Sequence, residues 1–172
     1  LSLSVKFKEY IRRDHIWRFQ RLLRKLEYYR NVKKKASILF KINYVFLKIK
    51  FKNLSLKLGF SIPENVFGPG LAIIHYGTII VNSRAKVGSN CRIHACTNIG
   101  ESGGVAGAPV IGYNVYIGPG AKIYGDISIP NNVAIAANAA VGKSFVNENK
   151  VLGGVPAKEI GAVNIKQLIK HI

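Results

Sequence analysis

The chain has 172 residues, 48% of them hydrophobic, enough for one packed domain with an appendage. Its net charge of +18 is uneven: residues 1–60 carry 17 Lys/Arg against Glu9, Asp14 and Glu27, whereas residues 61–172 carry 9 against 5. Two cysteines five apart, Cys91 and Cys96, exclude a disulfide framework and a zinc motif, and no apolar run approaches the roughly 18 residues of a spanning helix.

The first ten residues are broken by Lys6, Lys8 and Glu9, so no secretory signal is expected, and the thiols are expected to stay reduced. Residues 3–33 place Val5, Tyr10, Ile11, Ile16, Trp17, Phe19, Leu22, Leu23 and Leu26 at three- and four-residue steps, which predicts helix. Asp14 is a candidate cap for a second helix from His15 to about Arg30. Over 35–52 the stripe Leu39, Ile42, Val45, Phe46 and Ile49 predicts another helix, with Lys41, Lys48 and Lys52 on the other face. Leu54, Leu56, Leu58, Phe60 and Ile62 alternate with mostly polar residues and predict extended chain. Residues 1–60 thus form a basic amphipathic helical segment. Its expected roles are packing on the following domain or peripheral contact of residues 1–52 with an anionic membrane. No motif supports a nucleic-acid partner.

From His75 onward every sixth residue is a small aliphatic: Val81, Val87, Ile93 and Ile99. After a break at 100–110 the beat resumes with Ile111, Ile117, Ile123, Ile129, Ile135 and Val141. Such a hexapeptide period predicts a mainly β protein, a parallel β-helix over 61–161. Three units make one triangular coil of about 18 residues, with the aliphatics pointing inward. Small residues such as Gly77, Gly88, Ala95, Gly118, Gly125, Ala136 and Ala137 suit its corners. No helix-length segment separates the short strands, which excludes a doubly wound α/β domain. The segment 100–110 protrudes as a small, glycine-rich loop, Gly153–Lys158 closes the repeat, and residues 162–172 are expected to form a short C-terminal helix.

Among the four histidines, His15 and His171 have no partners in register and read as structural. His75 takes a position in the aliphatic register, where an unpaired imidazole is costly, which points to function. His94 follows 19 residues later, one coil plus one residue, so the two rings are expected on adjacent rungs. The pair reads as one polar cleft, with one imidazole acting as base and the other orienting; a metal is not expected, since no third ligand falls in register.

The stretch Ile73–Val81, the loop 100–109, the run Tyr116–Ile123 and Gly154–Lys158 together resemble the left-handed β-helix acyltransferases, above all the serine acetyltransferases and the O-acetyltransferases of polysaccharide synthesis. The resemblance covers about residues 60–161. It implies a left-handed coil and a homotrimer, with acetyl-CoA as cosubstrate bound between subunits; the cytoplasmic location is expected from the reduced thiols instead. It matches His75 to the catalytic base, and Pro119, Ala137, Gly142, Lys143 and Lys158 to the coenzyme A contacts. The departures bear on the acceptor. Ile74 stands where serine acetyltransferases have an Asp, and Gly107 and Ala108 where they have an Arg-His pair. The position of the carboxylate that orients the base is Phe60, leaving Glu64 or Glu101 to do so. The N-terminal part is also shorter than the helical domain of those enzymes. The expectation is therefore direct acetyl transfer to a sugar hydroxyl in capsular polysaccharide, exopolysaccharide or O-antigen synthesis, with a lipid-linked acceptor at the inner membrane face. A divergent serine O-acetyltransferase and a non-catalytic β-helix serving assembly or membrane binding are the alternatives.

Overall fold

The computed structural model describes residues 15–32, 37–104 and 106–170. The expected helix over 3–14, its Asp14 cap and His171 lie outside the described residues. The chain divides into two units, Leu1–Leu58 and Gly59–Ile172.

In the first unit, α1 (His15–Asn31) buries Ile16, Phe19, Leu23 and Leu26, a three- and four-residue spacing that lines one helix face. Its partner is α2 (Ile38–Leu58), opened by Ser37, whose Oγ accepts the Phe40 N–H at 3.3 Å. The Phe19 ring stacks on Phe51 at 4.9 Å and Tyr29 packs on Phe40 at 4.4 Å.

Two expectations need correction here. Residues 54–58 are helical rather than extended, and only Phe60–Ser61 form a strand, β1. The alternation of Leu54, Leu56 and Leu58 resembles a strand, but Phe51, Leu54 and Leu58 step by three and four and continue the face that begins at Phe40, Tyr44 and Leu47. The stripe at 39–49 also points the other way from this packed face. Leu39, Ile42, Val45, Phe46 and Ile49 are all exposed, and at 100° per residue Lys41, Lys48 and Lys52 border the stripe instead of opposing it.

The second unit is a left-handed parallel β-helix with three walls. The first joins β1, β3 (Ile79–Val81), β6 (Thr97–Gly100), β9 (Lys122–Tyr124) and β12 (Ala140–Val141). The second joins β4 (Lys86–Val87), β7 (Val110–Ile111) and β10 (Ser128–Ile129). The third joins β2 (Ala72–Ile73), β5 (Arg92–Ile93), β8 (Tyr116–Ile117), β11 (Ala134–Ile135), β13 (Lys150–Gly153) and β14 (Lys158–Ala162). The inward columns are Ile73–Ile93–Ile117–Ile135–Leu152, Val81–Ile99–Ile123–Val141 and Val87–Ile111–Ile129, all buried. Each such aliphatic contributes about 1.5–3 kcal/mol by leaving water.

Coil length varies, and this moves one residue out of its expected place. Ile111 pairs with Ile129 across eighteen residues, but Ile73 pairs with Ile93 across twenty. The first coil therefore holds two extra residues at the corner between β2 and β3. Ile73, not His75, fills the inward position, and His75 stands exposed on the corner. The loop lengthens another coil, so Ile99 pairs with Ile123 across twenty-four residues.

Where a residue with a side chain takes left-handed backbone, it is mainly asparagine. Asn90, Asn114 and Asn132 have φ of 58°, 53° and 56°. Their side chains form a ladder: Asn90 Nδ2 donates to Asn114 Oδ1 at 2.9 Å, and Asn114 Nδ2 to Asn132 Oδ1 at 3.0 Å. Glu148 accepts from Asn132 and Asn131 at its end. Gly88 and Gly118 serve a different need, close stacking. A Cβ on Gly88 would lie 2.7 Å from the Gly112 backbone, and one on Gly118 2.8 Å from the Ala137 nitrogen.

The last strand, β14, reverses direction and pairs antiparallel with β13, with a register shift between Val151 and Leu152. The C-terminal helix is shorter than the sequence predicts. Ala162 belongs to β14, Asn164 Oδ1 accepts the Lys166 N–H at 3.2 Å, and α3 spans only Ile165–Leu168 before the non-helical backbone of Ile169. Ile165 and Ile169 pack on Ala134 with Tyr116 and Val151 alongside.

Candidate active site

The third wall turns into the first along one edge of the prism. His75 follows β2 on this edge, His94 follows β5, Pro119 follows β8 and Ala137 follows β11. Backbone bonds between coils, from Asn138 N to Pro119 O at 2.9 Å and from Gly120 N to Ala95 O at 3.0 Å, hold the edge in register. Two histidines and two of the residues matched to coenzyme A thus share one line.

The imidazoles of His75 and His94 lie 5.9 Å apart between ring centroids, tilted by 54°. His94 also packs on Tyr116 at 5.1 Å. Its backbone is fixed twice: the N–H donates to Ile117 O at 3.2 Å, and the carbonyl accepts from Thr97 Oγ1 at 2.7 Å. His94 Nε2 is buried and has no hydrogen-bond partner among the described residues. Burial lowers the His94 pKa below the ordinary 6.5, and the positive Arg92 and neighbouring His75 lower it further. At neutral pH this ring is uncharged and offers one N–H and one lone pair. Arg92 is itself held by a 2.8 Å bond from Nη1 to Leu168 O.

The first wall turns into the second along the next edge, which carries the loop after β6 and the turn after β12. The loop is clamped at its root. Glu101 Oε1 accepts from Asn82 Nδ2 at 2.9 Å and from Arg84 Nε at 2.7 Å. The Arg84 bonds, then the Asn82 bond, hold its carboxyl below the usual carboxylate range. Glu101 is thus committed to Arg84 and Asn82, which corrects its candidacy as the group that orients His75. Gly103 and Gly104 face open space, whereas a Cβ on Gly107 would meet Asp126 at 2.4 Å, so the far end of the loop packs tightly.

Gly142 and Lys143 follow β12. A Cβ on Gly142 would sit 2.7 Å from the Tyr124 ring, so the missing side chain lets Tyr124 lie over the turn. Lys143 and Lys158 line one cleft of about 330 Å³ with Ser144, Phe145, Val146 and Glu159. Lys143 Nζ lies 5.5 Å from the Phe145 ring centroid. The two lysines matched to phosphate contacts are therefore brought together, and Pro119 and Ala137 are not part of that cleft.

The repeat spacing does not single out Tyr116 or Arg92 as neighbours of His94, nor the pairing of Glu101 with Asn82 and Arg84. Tyr116 stands beside Arg92 in register across the lengthened coil, so counting by eighteen does not find it. Among the described residues no group of three His, Cys, Asp or Glu gathers. Cys91 is buried and its thiol is pushed up to about 12, which removes it as a nucleophile, whereas Cys96 is exposed.

No family model matches the chain. Its sequence is 38% identical over 101 residues to a serine acetyltransferase of Mycobacterium tuberculosis (strain ATCC 25618 / H37Rv), covering 58% of this chain and 44% of the relative. It is 33% identical over 100 residues to a serine acetyltransferase of Synechococcus elongatus, covering 57% and 41%. The chain thus spans less than half the length of these relatives. A serine acetyltransferase from Brucella abortus strain S19 in complex with coenzyme A superposes with a TM-score of 0.63 at 26% identity, over 85% of this chain and 69% of that one. A truncated serine acetyltransferase apoenzyme gives 0.65 at 25% identity, over 83% and 56%. In sequence over the coils and in fold, this chain is a hexapeptide-repeat protein resembling the serine acetyltransferases.

Proposed function

We propose that the β-helix is an acetyl-CoA-dependent O-acetyltransferase of the serine acetyltransferase type, with His75 as general base. The observation that carries this reading is the open edge where His75, His94, Pro119 and Ala137 align, in a fold whose neighbour binds coenzyme A. His75 is exposed and can meet a substrate hydroxyl. It takes that proton as the oxygen attacks the thioester carbonyl carbon. Backbone N–H groups near Gly100–Gly104, in the loop rooted by the Glu101 clamp, are the candidates to receive the oxyanion, from the loop of a neighbouring subunit in the proposed trimer. As the C–S bond breaks, the sulfur leaves and takes the proton back from His75, giving an acetyl ester and free coenzyme A. His94, kept neutral, supports the His75 ring without a second positive charge. Lys143 and Lys158 fit the phosphates of the coenzyme. Assembly as a trimer, with coenzyme between subunits, belongs to the same proposal.

The relatives named above favour serine as acceptor. A sugar hydroxyl is the second reading, favoured by the loop: positions 107 and 108 are Gly and Ala, and Glu101 is already paired. Neither supplies a charge for a free amino acid. The test is loss of thioester absorbance with acetyl-CoA and either serine or mono- and oligosaccharides. Turnover with serine at ordinary efficiency removes the sugar reading. Turnover only with saccharides removes serine. No turnover with any hydroxyl acceptor, together with no binding of coenzyme A, removes the transferase and leaves a non-catalytic β-helix.

A further inference from the structure

Helix α2 has two apolar faces, and among the described residues of its own unit one of them is packed. At 100° per residue, Phe40, Leu47, Phe51 and Leu58 share the side that meets α1. Ile38, Ile42, Val45, Phe46, Ile49 and Leu56 fall within about 100° on the opposite side. All six are more than half exposed. The stripe runs from Ile38 to Leu56, roughly 27 Å of helix.

Its borders decide what covers it. Lys41, Lys48 and Lys52 lie along one side, and Lys50 and Lys57 along the other. No Asp or Glu occurs between Ile38 and Leu58. A second copy of the helix would set lysine rows against lysine rows, which repel. An anionic lipid surface meets both demands at once. The stripe enters the acyl boundary, and the lysines reach phosphates on either side with their long stems. The stripe is one face of a helix whose other face packs on α1, so the contact lies in the plane of the interface; among the described residues no helix is long and apolar enough to cross a membrane.

We propose that this stripe of α2 seats the chain on a bilayer rich in anionic phospholipid. The test is cosedimentation of the full chain with vesicles of phosphatidylglycerol and phosphatidylcholine against vesicles of phosphatidylcholine alone. The wild type is expected to partition onto the anionic vesicles and be released by salt. Phe46→Glu with Ile49→Glu places charge in the stripe at exposed positions and is expected to lower partitioning on the order of 100-fold. Lys48→Gln, Lys50→Gln and Lys52→Gln together are expected to lower it about fivefold per lysine and to flatten the salt dependence. Circular dichroism and thermal unfolding accompany each variant. Wild-type partitioning by the Glu pair overturns the proposal, because charge alone then accounts for binding. A concentration-dependent dimer abolished by the Glu pair overturns it in favour of a second copy. A large fall in Tm for the Glu pair overturns it as well, by showing that the stripe packs inside the folded protein. Absence of wild-type binding to anionic vesicles overturns it directly.

Discussion

Asn114 stands in the middle of the asparagine ladder, and replacing it separates two physical contributions. Asn114→Ala removes the bond accepted from Asn90 at 2.9 Å and the bond donated to Asn132 at 3.0 Å. At about 0.5–1.5 kcal/mol each, these account for about 1–3 kcal/mol. Alanine must also hold φ near 53°, which adds about 1–2 kcal/mol for a residue with a Cβ and no local side-chain bond. The sum is about 2–5 kcal/mol. Asn114→Gly loses the same two bonds but adopts the left-handed conformation freely, so it should be more stable than the alanine variant by about 1 kcal/mol. In a chain of this size each kcal/mol lowers Tm by about 2–4 °C. Far-ultraviolet circular dichroism during heating and urea titration reads both variants. Alanine equal to or more stable than glycine would refute the left-handed constraint. Both variants within about 0.5 kcal/mol of the wild type would refute any contribution from the ladder.

Three further outcomes are expected. His75→Ala should lower kcat about 100- to 10,000-fold while coenzyme A binding by calorimetry is unchanged; full activity would remove His75 as base. Because the folded pKa of His94 is below 6.5, the unfolded chain takes up a proton first as pH falls. Its contribution is therefore intact above about pH 6.5 and is lost as pH falls through the lower folded value. Denaturant midpoints measured from pH 7.5 to 5 should fall less steeply in His94→Gln, and parallel curves would refute this. Finally, one thiol of two, Cys96, should react with a disulfide reagent in the native chain, and Cys91 only after unfolding. Two fast thiols in the native chain would show that the core around Cys91 opens readily.

The spacing of Val81, Val87, Ile93 and Ile99 made the coils legible, because one residue type at one period has few other solutions. The period places His75 inward, six residues before Val81. The two extra residues of the first coil shift the column to Ile73, and only strand pairing reveals that. Its exposure strengthens the case for catalysis on different grounds, access to substrate instead of an anomaly in the core. His94 was found from one-coil spacing, but its neighbour Tyr116 lies across the coil that the loop lengthens. The asparagines were legible as corner residues only once left-handed φ was known. In α2, alternation over 54–58 competed with a helical period, and the longer pattern won because Leu54 and Leu58 extend the face of Phe40, Leu47 and Phe51.

The reversal of β14 has a consequence beyond closing the third wall. A stack of parallel strands ends in a row of unpaired backbone groups that another chain can copy, and repetition of that event builds fibres. Here the final strand runs the wrong way for the next coil, shifts register beside Val151, and carries Lys158 and Glu159 on its exposed length. A second molecule arriving in register meets an antiparallel, charged edge. On the third wall the hairpin is therefore a chain terminator in the polymer sense, ending that stack against growth by its own repeat.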